Sequence, residues 1–129
     1  MSLLCLMAGA ALATLTLPND RFTLAWTHSV EKQVWEEDYR VGAMGLTLEE
    51  ARIHGSGAGM EPGPDAALTA DGWWRYHPQR PPLPELTLAA SDFTADYRIC
   101  VEGRCQRLAE LIDPGPRSVT LKPCPRSTR

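Results

Sequence analysis

The sequence predicts a small all-β domain, an antiparallel β-sandwich or open barrel with little helix beyond an N-terminal leader. Three observations predict it. Apolar and polar residues alternate with period two through Phe22, Leu24, Trp26 and Val30, as on a half-buried strand. Short apolar runs recur between Gly, Asp and Asn turn signals along the rest of the chain, the spacing of sandwiches and barrels. Four prolines between Pro78 and Pro84 exclude that stretch from any sheet interior.

The bulk numbers agree. The chain has 129 residues, 43% hydrophobic and 22% charged, which suits one globular domain with its own core. A net charge of −3 argues against a nucleic-acid partner, which needs a basic face to displace counterions. The basic residues near the C-terminus are few, and residues 125–129 read as a solvated basic tail.

Residues 1–17 come first. Ser2 to Leu17 carries no charge and is rich in Leu, Ala and Met. As a helix it would span about 24 Å, short of the hydrocarbon core. With the small residues of Ala11-Leu12-Ala13, it reads as a secretory signal peptide cleaved after Ala13, or as an N-terminal anchor giving the only membrane contact. A buried first strand is the competing reading. Residues 22–124 are then a single β domain.

The first strand carries His28 on its apolar side and Thr23, Thr27 and Ser29 on the other. A second runs from Val34 to Val41. Trp35, Glu37, Tyr39 and Val41 share one face, and Glu36, Asp38 and Arg40 the other. A turn at Gly42 to Gly45 follows. Leu46 to His54 suits either a strand broken by a bulge or a short helix around Leu48-Glu49-Glu50-Ala51-Arg52; the short flanking turns favour strand. Gly55 to Pro64 is a loop. Trp73 to Tyr76 is a short aromatic strand after the Asp71-Gly72 turn signal, and Pro78 to Pro84 is an extended surface crossing. Leu86 to Leu88, Phe93 to Val101, Arg104 to Leu108 and Ser118 to Leu121 supply more strands, with one helical turn at Ala109 to Ile112.

Cysteine placement points to an oxidising compartment, periplasmic or otherwise extracytoplasmic. With Glu102-Gly103 as a two-residue turn, Cys100 faces Cys105 across a hairpin rung, the spacing for a cross-strand disulfide. Cys124 is a competing partner for either.

The candidate site is the stretch from His28 to Met60. Ser29 is adjacent to His28 on a strand, so their side chains point to opposite faces and cannot act as nucleophile and base. Glu36 and Asp38 read as a solvated edge. Glu37 lies among apolar neighbours and requires a partner such as His28, Lys32 or Arg52. The Gly55-x-Gly57-x-Gly59 run precedes prolines rather than a helix, so it reads as a tight turn that allows close backbone approach rather than a phosphate cradle. The binding residues expected on this basis are His28, Ser29, Glu36, Glu37, Gly57, Gly59 and Met60. No catalytic residue, metal ligand or cofactor is assigned. A small periplasmic metalloprotein or hydrolase using His28, His54 and the Glu36 to Asp38 acids is the alternative.

The segments His28-Ser29-Val30-Glu31-Lys32, Trp35-Glu36-Glu37-Asp38-Tyr39-Arg40-Val41, Gly55-Ser56-Gly57-Ala58-Gly59-Met60-Glu61-Pro62, Gly72-Trp73-Trp74, Pro82-Leu83-Pro84 and Cys100-x4-Cys105 together resemble the bacterial domain of unknown function 1850 family. The likeness runs in order from Phe22 to Leu111. Where many relatives carry proline between Lys32 and Trp35, this chain has Gln33-Val34. The resemblance implies a small exported protein of unassigned activity, encoded beside tripartite periplasmic transporters of the TAXI class. The partners it implies are a transporter membrane subunit or a solute-binding protein, and a small solute.

Overall fold

Two antiparallel sheets pack face to face in the computed structural model, which describes residues 1–28, 33–54, 67–88, 97–112 and 118–125. The strands are β1 (Ser2–Ala8), β2 (Ala11–Leu17), β3 (Arg21–His28), β4 (Gln33–Gly42), β5 (Gly45–His54), β6 (Ala67–Leu68), β7 (Trp73–Tyr76), β8 (Leu86–Leu88), β9 (Arg98–Val101), β10 (Arg104–Arg107) and β11 (Val119–Pro123), with one helical turn, α1 (Leu108–Leu111). The small sheet has the order β2-β1-β11-β8 and the large one β10-β9-β3-β4-β5-β7-β6. The expected all-β sandwich is what the chain forms, without barrel closure. No helix among the described residues is long and apolar enough to cross a membrane.

The core lies between the sheets. Leu4, Leu6, Leu17 and Leu121 from the small sheet meet Phe22, Leu24, Tyr39, Leu46, Leu48 and Ile99 from the large one. Period-two alternation puts these residues on the inner faces.

The expected bulge in β5 is present. Asp38 pairs with Glu50 but Tyr39 pairs with Leu48, so Glu49 is the extra residue. One extra residue switches which side chains face inward. Leu46 and Leu48 therefore point to the core before the bulge, and Ala51 and Ile53 after it. The Gly42–Gly45 turn closes as expected. Gly45 has φ +126°, and a Cβ there would lie 2.1 Å from the Leu83 carbonyl oxygen. That approach carries the paired hydrogen bonds between Leu46 and Leu83, which fasten the proline-rich crossing to β5 as it passes from the large sheet to the small one.

Residues 2–17 occupy a different place from the expected leader. They form the β1-β2 hairpin, and β1 lies inside the small sheet between β2 and β11. Leu4, Leu6 and Leu17 are fully buried. Cys5 is bonded to Cys124 across 119 residues, so Cys124 does not compete for the other pair. Cys100 and Cys105 are joined as the hairpin reading required. Their turn residues Glu102 and Gly103 both have positive φ, as a type I′ turn demands.

Candidate binding site

Strand β4 runs inside the large sheet between β3 and β5, and its two faces carry different chemistry. The outer face is an ion-pair network rather than the solvated edge expected for Glu36 and Asp38. Arg52 Nε donates to Glu36 Oε1 at 3.0 Å, and its Nη1 and Nη2 donate to Asp38 at 2.6 and 3.0 Å. Glu50 accepts from both Arg52 and Arg75. Thr23 Oγ1 donates to Asp38 Oδ1 at 2.6 Å. Burial works against the Asp38 carboxylate, but the hydrogen bonds from Arg52 and Thr23 outweigh it and hold its pKa below the ordinary value. The hydrogen bond to Asp38 pushes the Arg52 guanidinium up, deeper into its charged form. These acids are committed to holding strands together.

The inner face carries Glu37. The register places it in a row with Leu24, Ala51 and Tyr76. The next row is Trp26, Trp35, Ile53 and Trp74. Glu37 thus stands on the core-facing side, beside a cluster of aromatic rings. Trp26 stacks on Trp35 with centroids 5.7 Å apart and meets Tyr97 at 5.8 Å. Its polar partner is Tyr39, whose hydroxyl donates to Glu37 Oε1 at 2.9 Å. Parity on one strand puts residues 37 and 39 on the same face, so this contact is local. Arg52, one of the partners expected for Glu37, serves the opposite face; Lys32 lies outside the described residues.

The electrostatics follow from this placement. Burial raises the Glu37 pKa, against the Tyr39 hydrogen bond and the Arg80 charge, which lower it. Burial also raises Tyr39, with the Glu37 charge adding to the effect. Tyr97 is raised by burial and then by Glu37, so both phenols lie within electrostatic reach of the carboxylate. Trp35 Nε1 is buried without a hydrogen-bond partner among the described residues. The cluster therefore combines a half-buried carboxylate, an indole N–H without a partner among the described residues and aromatic faces. That set suits a ligand with an apolar body and a cationic or hydrogen-bonding head.

Other expected site residues fall elsewhere. His28 ends β3 opposite Gln33; its side chain, together with Ser29, Gly57, Gly59 and Met60, lies outside the described residues. His54 is exposed, packs on Trp73 with centroids 4.8 Å apart and would lie 3.2 Å from a Cβ at Gly72. Glu36 and Glu37 do not share a surface. No group of three or more His, Cys, Asp or Glu among the described residues is placed to hold a metal ion. Sequence reasoning did not single out Tyr97 or Arg80. The alternation of Tyr97, Ile99 and Val101 was a signal for the first; the proline-rich segment gave none for the second.

The fold is that of a small all-β sandwich domain. Residues 22–108 match the family described as domain of unknown function (DUF1850). The chain belongs to that family. No curated protein and no solved structure matches it. The matched span contains the large sheet except Arg21, together with β8, and leaves β1, β2 and β11 outside it.

Proposed function

We propose that this chain is an extracytoplasmic accessory protein of a TAXI-type tripartite transporter, binding a solute with a cationic head at the Glu37 cluster. The observation that carries the reading is the placement of Glu37 on the core-facing side of β4 among Trp26, Trp35 and Tyr97. A half-buried carboxylate is stabilised by a bound ammonium, and aromatic faces add cation–π attraction of about 0.5–2 kcal/mol. Two disulfides support an oxidising location, because cytosolic thiols are kept reduced. Export in this reading leaves residues 1–17 in the folded domain. The transporter association rests on the family resemblance, and the partners proposed are its membrane subunit or solute-binding protein.

Two measurements test this. In cells lacking the native copy, Glu37→Ala is expected to abolish solute uptake while Glu36→Ala, on the opposite face, keeps it. In solution, tetramethylammonium is expected to shift the Trp35 indole N–H resonance, and uncharged tert-butanol to leave it in place. Unchanged uptake with Glu37→Ala, together with no response to either probe, refutes the reading.

A further inference from the structure

Among the described residues the two sheets end in four edges, and three of these are short or charged. β6 and β8 contribute two and three described residues. β10 carries Arg104 and Arg107. Short strands and edge charges are the usual defences against strand addition. The fourth edge is β2, Ala11-Leu12-Ala13-Thr14-Leu15-Thr16-Leu17. It has seven residues, with no charge, proline or bulge in its pairing with β1.

Its backbone groups that have no partner among the described residues can be located. Gly9 and Ala10 form a two-residue turn, Gly9 with φ +60°, so Ala8 and Ala11 exchange hydrogen bonds and the rungs alternate from there. Leu6–Ala13 and Leu4–Leu15 are then the bonded rungs. Cys124 N–H donates to the Leu3 carbonyl at 3.0 Å on the other side of β1, which is what that alternation requires. It follows that Leu12, Thr14 and Thr16 turn their N–H and C=O groups away from the sheet. All three side chains are exposed, Leu12 to 64%.

We propose that β2 pairs antiparallel with β2 of a second copy of this chain, about a two-fold axis through Thr14, joining two four-stranded sheets into one of eight. This rests on the edge alone and is independent of the Glu37 site. The register is self-complementary. Thr14 faces Thr14, Leu12 faces Thr16, and the three bonded rungs supply about six cross-interface hydrogen bonds. Centring on Thr14 also keeps parity, so Ala13 meets Leu15 and Ala11 meets Leu17 on the core side. A two-fold pairing places each residue opposite its counterpart, so charge anywhere on the strand would set like against like or demand a match; an uncharged strand meets neither difficulty.

The test is a charge swap at the axis. Light scattering and sedimentation of the full oxidised chain are expected to show a monomer–dimer equilibrium. Thr14→Lys and Thr14→Glu each place like charges face to face and are expected to give monomers with unchanged circular dichroism. Mixing the two variants is expected to restore a dimer. Thr14→Pro removes one outward N–H without touching the β1 ladder and is expected to weaken association as well. A wild-type chain that stays monomeric up to its solubility limit overturns the proposal. So does a dimer that survives in Thr14→Lys, or variants that fail to re-associate when mixed.

Discussion

Deleting residues 1–13 removes all of β1 and the start of β2, and the size of that loss follows from burial and from one disulfide. Leu4 and Leu6 are fully buried, and burying each is worth about 1.5–3 kcal/mol. The Cys5–Cys124 bond closes a loop of 119 residues, which in the chain-entropy treatment contributes about 5 kcal/mol. Together these reach about 8–11 kcal/mol, within the range of the whole stability of a domain. A chain beginning at Thr14 is therefore expected to lose the small sheet and most of its stability, with a melt far below that of the intact chain. The assay is circular dichroism with thermal unfolding, comparing the intact and shortened chains made in the same oxidising compartment. The intact mass of the protein recovered from its own cells is expected to include residues 1–13. The two disulfides provide an internal control. Removing the Cys100–Cys105 pair, which spans 5 residues, is expected to cost about 2 kcal/mol by the same relation, far less than removing Cys5–Cys124. A shortened chain that melts cooperatively within a few degrees of the intact one refutes the reasoning.

Three further outcomes are expected. Gly45→Ala forces an L-residue into φ +126° and a Cβ against the Leu83 carbonyl; a loss of about 2–4 kcal/mol is expected in denaturant unfolding. Arg52→Met strips the guanidinium from Glu36, Asp38 and Glu50 while Arg52 itself is only 11% exposed, so a loss of about 2–4 kcal/mol is expected at neutral pH, reduced from the value for a fully buried pair by partial solvent screening. Because the Asp38 pKa is lowered from 3.8, its pairing stabilises the fold above that pH and the contribution vanishes as pH falls through the lowered value; the wild-type and Arg52→Met melts should converge there. Glu37 has the opposite sign. Its pKa is raised above 4.5, so the penalty for its charge is absent at low pH and grows as pH rises through that window; Glu37→Gln is expected to raise Tm near neutrality and to lose that advantage toward pH 4.5.

The parts of the fold legible in the sequence are those where one face is polar. Alternation in β3 and β4 placed Trp26, Trp35 and Glu37 on the inner face because Thr23, Glu36 and Asp38 marked the outer one. The β5 bulge was legible because the spacing of Leu46, Leu48 and Ile53 cannot be one unbroken strand face. The Cys100–Cys105 bond needed only a turn residue count. The N-terminal hairpin was not legible. In β1 the inward Leu4, Leu6 and Ala8 alternate with Leu3, Cys5 and Met7, so both faces are apolar or nearly so and period two leaves no trace. An uncharged run of that kind satisfies a leader and a central strand equally well. The pairing of Cys124 followed the same fate, since its partner lies in that run. At the site, strand parity made the Tyr39–Glu37 contact accessible, whereas Arg80 reaches Glu37 from the proline-rich crossing through tertiary placement alone.

The division of the molecule into two sheets gives a last consequence. Glu37 and its aromatic neighbours belong to the large sheet, inside the span that matches the family, and the unprotected β2 edge belongs to the small one, outside it. The Cys5–Cys124 bond ties β1 to the residue that follows β11, so it links the two inner strands of the small sheet. Reduction therefore bears unequally on the two. The large sheet retains the β3-β4-β5 ladder and the Arg52 network, neither of which contains a cysteine. Its one disulfide closes a short hairpin of modest worth. Under dithiothreitol, amide exchange is expected to rise first in β1, β2 and β11, while β3 to β5 stay protected and the Trp35 indole resonance holds its position. The association through β2 should weaken in step with exchange in the small sheet. Uniform exchange across both sheets would show that the two fold as one unit and that the disulfide does not selectively guard the edge.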